Sequence, residues 1–181
     1  MELTTLPLVK AGTMTDMDLF IFECFGYIVI EDVLTPAEVA EALDAAKRLH
    51  AGKLQGKLNQ IGKGFEYEPA LEALIDHPAV LPKIRALLGE RFVLQAAWCT
   101  VQPAKSQSVG WHQDGSAAFD FKDLGYPVPL LQLRVSYNLT DQSQPLMGNM
   151  MLIPGSHRSR LSLPDAVHEQ VYACPVQQIV C

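Results

Sequence analysis

The two halves of this chain follow different hydrophobic patterns, and that change constrains its fold more than any other feature. Helix-start signals and apolar residues at 3.6-residue spacing dominate up to residue 89. Strand-like runs then occupy 92–101, 130–139, 149–153 and 176–180, separated by clusters of Pro, Gly and Ser. The pattern predicts a mainly β protein, an antiparallel sandwich or barrel with N-terminal helices packed outside it.

Two helix starts in the first half are clearly marked. Thr15 is a candidate N-cap for a helix over 16–25, which Gly26 is placed to end. The segment 35–38, Thr-Pro-Ala-Glu, combines an N-cap, a proline at the first helical position and a glutamate that closes a capping box. The segment 71–88 is predicted to form one or two further helices interrupted at its prolines.

The length and composition favour one domain with a sizeable core. The chain has 181 residues, 49% of them hydrophobic and 19% charged, which argues against disorder and against a second domain. We therefore expect a single domain over 1–181, with a helical part at about 15–90 and a β part at about 91–181.

Charge and cysteine usage exclude several classes of protein. The net charge of −6 argues against a nucleic-acid-binding or anionic-membrane surface, and no apolar run approaches the ~20 residues of a membrane span. The start of the chain lacks the pattern of a secretory signal. Four scattered cysteines without CxxC spacing indicate a reduced, intracellular protein, for which a cytoplasmic location is expected.

One short motif, the segment 110–115 (Gly-Trp-His-Gln-Asp-Gly), carries metal chemistry. In a strand, residues two apart point to the same face, which would bring His112 and Asp114 together. An imidazole and a carboxylate in that relation are two corners of the facial triad that holds Fe(II). By itself the tripeptide is a weak signal, and on this evidence alone a hydrogen-bonded His–Asp pair at the end of a strand is the favoured reading.

Several blocks of the chain, taken in order, resemble the phytanoyl-CoA dioxygenase family. They span most of residues 20–158. The blocks are GYIVI at 26–30, DVLTPAEV at 32–39, WHQDG at 111–115, NLTD at 138–141, GNM at 148–150 and IPGSH at 153–157. The WHQDG block looks like the proximal metal motif of that family, with His112 and Asp114 as its metal ligands.

The resemblance implies a double-stranded β-helix, or jelly roll, and a particular oxidative chemistry. Members use non-haem Fe(II), 2-oxoglutarate as cosubstrate and O₂ to hydroxylate a small organic substrate. Family members that halogenate have a small residue in place of the metal carboxylate, and the presence of Asp114 therefore favours hydroxylation. The partners expected from the resemblance are a small-molecule substrate and O₂.

Three polar residues are candidates for contact with the cosubstrate. Tyr137 occupies a place where the family often has an aromatic residue beside the oxo acid, although it is equally well explained as a core aromatic. Arg134 is either a surface charge or a carboxylate clamp, since guanidinium matches carboxylate in a two-pronged fashion. Gln95, on the preceding predicted strand, is a hydrogen-bonding candidate, although amides in strands are usually solvated.

The residues after the metal motif suggest a substrate lid. The segment 116–129 is rich in aromatic residues and chain breakers, and such a loop beside a metal is suited to cover a substrate. The alternative is a packed surface loop. The lid candidates are Phe119, Phe121 and Tyr126. His157, in the turn after a strand, is expected to tie that turn through a hydrogen bond rather than to bind metal.

The chain departs from the family pattern near its end. The family continues with a Gly-Asp turn, a distal His ligand and a downstream Arg that grips the oxo acid, whereas this sequence ends at Cys181. After Asp114 the histidines are His157 and His168, and neither stands in a distal-ligand context. We therefore expect a jelly roll cut short before its last strands, lacking the distal His and the oxo-acid Arg.

Two classes of function stay open on this basis. The first is an Fe(II)/2-oxoglutarate dioxygenase, of which this chain is a fragment or a splice product. The second is a catalytically inactive relative or isoform that acts as a small-molecule or protein binding module. A metal-dependent cupin without an oxo acid is a weaker third reading. The apolar segment 176–180 is also expected to form an exposed sheet edge open to self-association.

Overall fold

Most of the regular secondary structure in the described residues consists of helices in the first half of the chain. The computed structural model of the protein describes residues 7–106, 110–115, 120–142, 147–161 and 174–175. Its helices are α1 Asp16–Phe25, α2 Pro36–His50, α3 Pro69–Glu72 and α4 Leu81–Leu88. Its strands are β1 Leu8–Val9, β2 Val29–Ile30, β3 Asn59–Gly62, β4 Trp98–Val101, β5 Met151–Leu152 and β6 Cys174–Pro175.

The predicted bounds of α1 are confirmed. The Thr15 hydroxyl accepts a hydrogen bond from the Asp18 N–H at 3.1 Å, and the Asp18 carboxylate accepts one from the Thr15 N–H at 3.1 Å. This reciprocal capping box satisfies two backbone donors that a helix start otherwise leaves free. Gly26 ends the helix with a φ of +83°, in the left-handed region where glycine pays no steric penalty.

Local sequence signals also mark the start of α2 and both ends of α4. Thr35 and Glu38 form the predicted capping box of α2, with Pro36 at its first position. Pro82 lies in the first turn of α4, where the missing N–H removes no intrahelical bond; it therefore starts this helix and does not interrupt one. Gly89 ends α4, as predicted.

Within the described residues, the second half forms shorter strands than the sequence predicts. The described residues contain three two-stranded sheets, β1 with β2 in parallel, β3 with β4 antiparallel and β5 with β6 antiparallel. The predicted strand over 92–101 is wrong for its first six residues and is confirmed only at Trp98–Val101. Residues 130–139 form no ladder, and the predicted strand over 176–180 lies outside the described residues.

The physical reason for the difference is pairing. A run of β-branched and aromatic residues indicates a segment with a high propensity for β-structure. Such a segment becomes a strand only where a second segment pairs with its backbone N–H and C=O groups. β4 is as long as its partner, because it pairs with β3 from Asn59 opposite Val101 to Gly62 opposite Trp98. The closed barrel expected from the pattern is absent from the part of the chain that the structure describes.

The core joins the helical half to residues 137–139. Its buried centre consists of Val33, Leu34 and Val80, and the half-buried side chains of Tyr137 and Leu139 pack against it. Helix α2 buries the small side chains of its inner face, Ala42, Ala45 and Ala46. The core therefore holds residues 137–139 against the helices.

One ion pair lies inside the helical half. The Lys83 ammonium of α4 donates to the Asp18 carboxylate of α1 at 2.8 Å and to the Thr13 carbonyl at 3.1 Å. The Lys83 side chain is 2% exposed and that of Asp18 is 12% exposed. The pair links the starts of two helices across the core. Over the described ranges, no helix combines the length and apolar character needed to cross a membrane.

Candidate metal centre and its surroundings

The structure brings His112 and Asp114 together on one side of the chain. The two residues are exposed, whereas Trp111 and Gln113 are half-buried, and this alternation follows the two-residue period that the sequence suggests. No ladder forms here; instead a turn begins at Asp114. His112 Nε2 lies 3.6 Å from Asp114 Oδ1. That separation is too long for a hydrogen bond, so the pair is not the hydrogen-bonded pair of the alternative reading.

The second nitrogen of His112 determines the state of the first. His112 Nδ1 lies 2.9 Å from the Gly110 carbonyl oxygen. A carbonyl only accepts hydrogen bonds, and Nδ1 must therefore carry the proton that is donated to it. In the neutral imidazole, Nε2 is then a bare acceptor, facing a carboxylate oxygen that is also an acceptor. Metal-bound histidines commonly have this second-nitrogen hydrogen bond to a backbone carbonyl.

The other oxygen of Asp114 is already engaged. Arg134 Nη2 donates to Asp114 Oδ2 at 2.6 Å, across 20 residues of sequence. The side chain of Arg134 is 55% exposed and that of Asp114 is 39% exposed. Arg134 was predicted to be either a surface charge or a clamp for the carboxylate of the oxo acid. In the structure its guanidinium binds a carboxylate of the protein itself, that of Asp114.

The side chain between His112 and Asp114 anchors this segment. Gln113 points opposite to His112 and Asp114, and its amide donates to the Ser156 carbonyl at 3.4 Å and to the Ser159 carbonyl at 3.2 Å. These bonds attach the metal motif to the turn after β5. No role is predicted for Gln113 from the sequence, although the strand-like alternation places it on the opposite face from His112 and Asp114.

His157 packs in this same turn and serves it structurally. Its imidazole lies against the Gly26 backbone, where a Cβ atom would overlap its ring, and 6.1 Å from the Phe22 ring. Arg158 Nε donates to its Nε2 at 3.3 Å. Burial lowers the pKa of His157, and the neighbouring Arg158 charge lowers it further. This bond joins His157 to the next residue only, and a hydrogen bond by which His157 ties the turn stays a prediction.

The other cosubstrate candidates lie elsewhere. The Tyr137 hydroxyl donates to the Leu74 carbonyl at 2.9 Å, and its ring lies 6.5 Å from that of His77. Its side chain therefore contacts the core. Gln95 is exposed and lies three residues before β4, so its predicted placement on a strand is wrong.

The structure describes two of the three lid candidates. Phe121 is half-buried and begins a short 3₁₀ helix over Phe121–Asp123, and the Asp120 side chain accepts a hydrogen bond from the Lys122 N–H of this helix. Tyr126 is 76% exposed. Phe119 lies outside the described residues. A role in covering a substrate stays a prediction for all three.

The donor atoms of His112 and Asp114 fit a single divalent ion. Bonds of about 2.0–2.2 Å from nitrogen and oxygen to a metal require two ligand atoms to lie within about 4.2 Å of each other. The observed 3.6 Å satisfies that condition. Within the ranges that the structure covers, no third His, Cys, Asp or Glu completes the group. His168 lies outside those ranges.

A His-x-Asp pair anchored to the turn after β5 defines the chain as a candidate metal-binding protein. The chain belongs to the phytanoyl-CoA dioxygenase family, since the model of that family matches residues 22–174. The matched range includes the metal motif and the five other blocks that carry the resemblance, and the match confirms that resemblance. Membership implies a jelly-roll fold.

Relatives with assigned names are dioxygenases of low identity. The ectoine dioxygenase of Sphingopyxis alaskensis is 27% identical over 179 residues, covering 87% of this chain and 57% of that protein. The probable alpha-ketoglutarate-dependent hypophosphite dioxygenase of Stutzerimonas stutzeri is 24% identical over 158 residues, covering 75% and 51%. The chain thus spans about half the length of the curated relatives it matches. No solved structure matches it.

Proposed function

We propose that this chain is the metal-binding part of an Fe(II)/2-oxoglutarate-dependent dioxygenase that hydroxylates a small organic substrate. Family membership and the dioxygenase names of its relatives support the reaction class. The observation that carries the proposal is the pair of acceptor atoms, His112 Nε2 and Asp114 Oδ1, which face each other at 3.6 Å. We further propose that residues 1–181 form one domain in a cytoplasmic protein that binds no nucleic acid.

Two facing acceptors favour a cation between them. With its Nδ1–H bonded to the Gly110 carbonyl, neutral His112 has no proton to offer Asp114. The lone pairs of Nε2 and Oδ1 are therefore left to water or to a metal ion. An imidazole with a carboxylate is the donor set of non-haem Fe(II) sites, and Fe(II) with the oxo acid supplies the activation of O₂.

The surrounding residues divide the remaining tasks. In this proposal His112 and Asp114 hold the metal, and Arg134, Tyr137 and Gln95 are the candidates for contact with 2-oxoglutarate. The bond from Arg134 to Asp114 engages one of five guanidinium N–H donors, and the others stay available to a second carboxylate. The Tyr137 hydroxyl donates its hydrogen bond to the Leu74 carbonyl.

A substrate would lie on the exposed side of the metal motif. We propose that the aromatic segment with Phe121 and Tyr126 covers it, since Tyr126 is 76% exposed and free to contact a ligand. Because Asp114 occupies the carboxylate position, hydroxylation is favoured over halogenation.

Metal binding tests this proposal directly. We expect anaerobic calorimetry with Fe(II), or with Mn(II) as a redox-silent replacement, to show binding by the wild type. His112→Ala and Asp114→Ala should each weaken it by about tenfold or more, because each removes a direct ligand. Asp44→Ala, which removes an exposed carboxylate on α2, is the matched control and should bind as the wild type does. Unchanged affinity in both ligand variants would refute the assignment.

One observation favours the second candidate, a non-catalytic binding module. The Asp114 carboxylate already has a cationic partner in Arg134, so its charge is balanced without a metal. Succinate formation from 2-oxoglutarate by the metal-loaded chain distinguishes the two. Oxo-acid turnover that disappears in His112→Ala supports the oxygenase, whereas ligand binding without turnover supports the module.

A further inference from the structure

We propose that Arg134 is a positioning residue that restricts the Asp114 carboxylate to a single oxygen for the metal and thereby disfavours ions that need both. This inference rests on the proposed function, because it concerns the same metal centre. In this role Arg134 influences which metal ion binds, although Arg134 is not itself a metal ligand.

The two oxygens of Asp114 have different partners. Oδ2 accepts from Arg134 Nη2 at 2.6 Å, at the short end of charge-assisted hydrogen bonds. Oδ1 faces His112 Nε2 at 3.6 Å. An ion that contacts the histidine therefore meets Oδ1 first, and it reaches Oδ2 only by displacing the guanidinium.

Without Arg134 nothing described in the structure would distinguish these oxygens. Asp114 lies at the start of a turn, its side chain 39% exposed, and the terminal torsion of an aspartate is broad and two-fold. Rotation about that torsion exchanges the two oxygens and also presents both of them together. A bond from another segment removes this freedom.

Arg134 comes from a segment that the core holds in place. Three residues further on, the Tyr137 hydroxyl is bonded to the Leu74 carbonyl, and Leu139 packs on the same cluster. The backbone that carries the guanidinium is thus held in place by the core, and a residue that positions another side chain needs such support. A surface arginine with no such support would restrict the carboxylate much less.

The restriction affects metal ions unequally. Ca²⁺ takes six to eight oxygen ligands and often uses both oxygens of a carboxylate, whereas first-row transition ions accept an imidazole with one carboxylate oxygen. The positive charge of Arg134 repels all divalent ions alike. The effect of this charge therefore cancels in the ratio of Ca²⁺ to Mn²⁺ affinity. A change in that ratio reports how many oxygens Asp114 offers to the metal.

The experiment compares Arg134→Met with Arg85→Met. Arg85 on α4 is the matched control, since its side chain is also 55% exposed and it pairs with a different carboxylate, that of Glu90, at 3.8 Å. Anaerobic calorimetry with Mn²⁺ and with Ca²⁺ gives the two affinities. We expect the affinity ratio to shift towards Ca²⁺ by about tenfold in Arg134→Met and to stay unchanged in Arg85→Met.

A second measurement uses the wild type alone and therefore does not depend on the variant folding. Infrared difference spectra of the Mn²⁺-loaded protein, with ¹³C-labelled aspartate, report whether the metal-bound carboxylate uses one oxygen or two. One oxygen is expected. An unchanged affinity ratio in folded Arg134→Met, or a two-oxygen signature in the wild type, overturns this inference while leaving the metal site in place. Failure of the wild type to bind Mn²⁺ would instead overturn the proposed function.

Discussion

Replacement of Lys83 by methionine should destabilise the protein by about 3 kcal/mol at neutral pH. The Lys83 side chain is 2% exposed, and its ammonium is bonded to Asp18 and to the Thr13 carbonyl. Methionine fills a similar volume but leaves the Asp18 carboxylate inside the helical half without its cation. Breaking a buried pair by removing one partner costs about 3–5 kcal/mol. The lower end applies because Asp18 keeps the hydrogen bond from the Thr15 N–H.

The effect should depend on pH with a defined sign. Burial raises the pKa of Asp18, but hydrogen bonds from Lys83 and Thr15 outweigh it, and the net pKa lies below its ordinary value. The stabilisation is therefore complete above the unfolded pKa of about 3.9 and is lost as the pH falls through the lower folded pKa. We expect the difference between wild type and Lys83→Met to be full at pH 7 and to shrink below about pH 4.

Urea denaturation followed by circular dichroism at pH 7 and at pH 3 measures both effects. A loss of about 3 kcal/mol corresponds to about 6–12 °C in melting temperature for a chain of this size. The double variant Asp18→Asn with Lys83→Met should recover part of the loss, since no unpaired charge remains. Lys47→Met, at an exposed pair on α2, should change nothing measurable. A loss for Lys83→Met under about 1 kcal/mol, or one equal at both pH values, would refute the reasoning.

Two further predictions concern the packing around α1 and the reactivity of the cysteines. Gly26→Ala should destabilise the protein by about 2–4 kcal/mol in thermal unfolding, because the new Cβ adds overlap with His157 to the cost of a left-handed φ. Gly52→Ala, at a φ of +69° in open space, should show only the smaller backbone cost, and equal losses would argue against the overlap. Burial raises the pKa of Cys99, whereas Cys24 is exposed. Iodoacetamide at pH 8 should therefore label Cys24 faster than Cys99, as read by peptide mass spectrometry, and equal rates would contradict this.

The helix boundaries could be predicted from the sequence because the interactions that set them are local. The capping boxes at Thr15 and Thr35 each close within three residues, and Gly26 and Gly89 end their helices through their own backbone conformation. The family could be recognised for a related reason: its signature blocks are short and contiguous. The convergence of His112 and Asp114 follows from their spacing alone.

The strands were predicted less well because pairing is not local. The pattern over 92–101 and 130–139 indicates segments suited to a sheet. Among the residues that the structure describes, however, only Trp98–Val101 of these two segments has a strand partner, β3, which lies about 40 residues earlier. β3 comes from a glycine-punctuated stretch in which no element was predicted. A periodic pattern predicts which face of a strand is buried. It does not predict which other segment of the chain pairs with that strand.

The sequence alone therefore determined the helices, the family and the two metal-ligand candidates, whose evidence lies within a few neighbouring residues. Only the tertiary structure decided how those candidates are held. Arg134 meets Asp114 across 20 residues, and Gln113 reaches Ser159 across 46. Such contacts depend on how the core places the segment of Tyr137 against the helices and the turn at 154–157 against α1. Folding brings these groups together through the burial of apolar surface, which specifies no individual polar contact in advance.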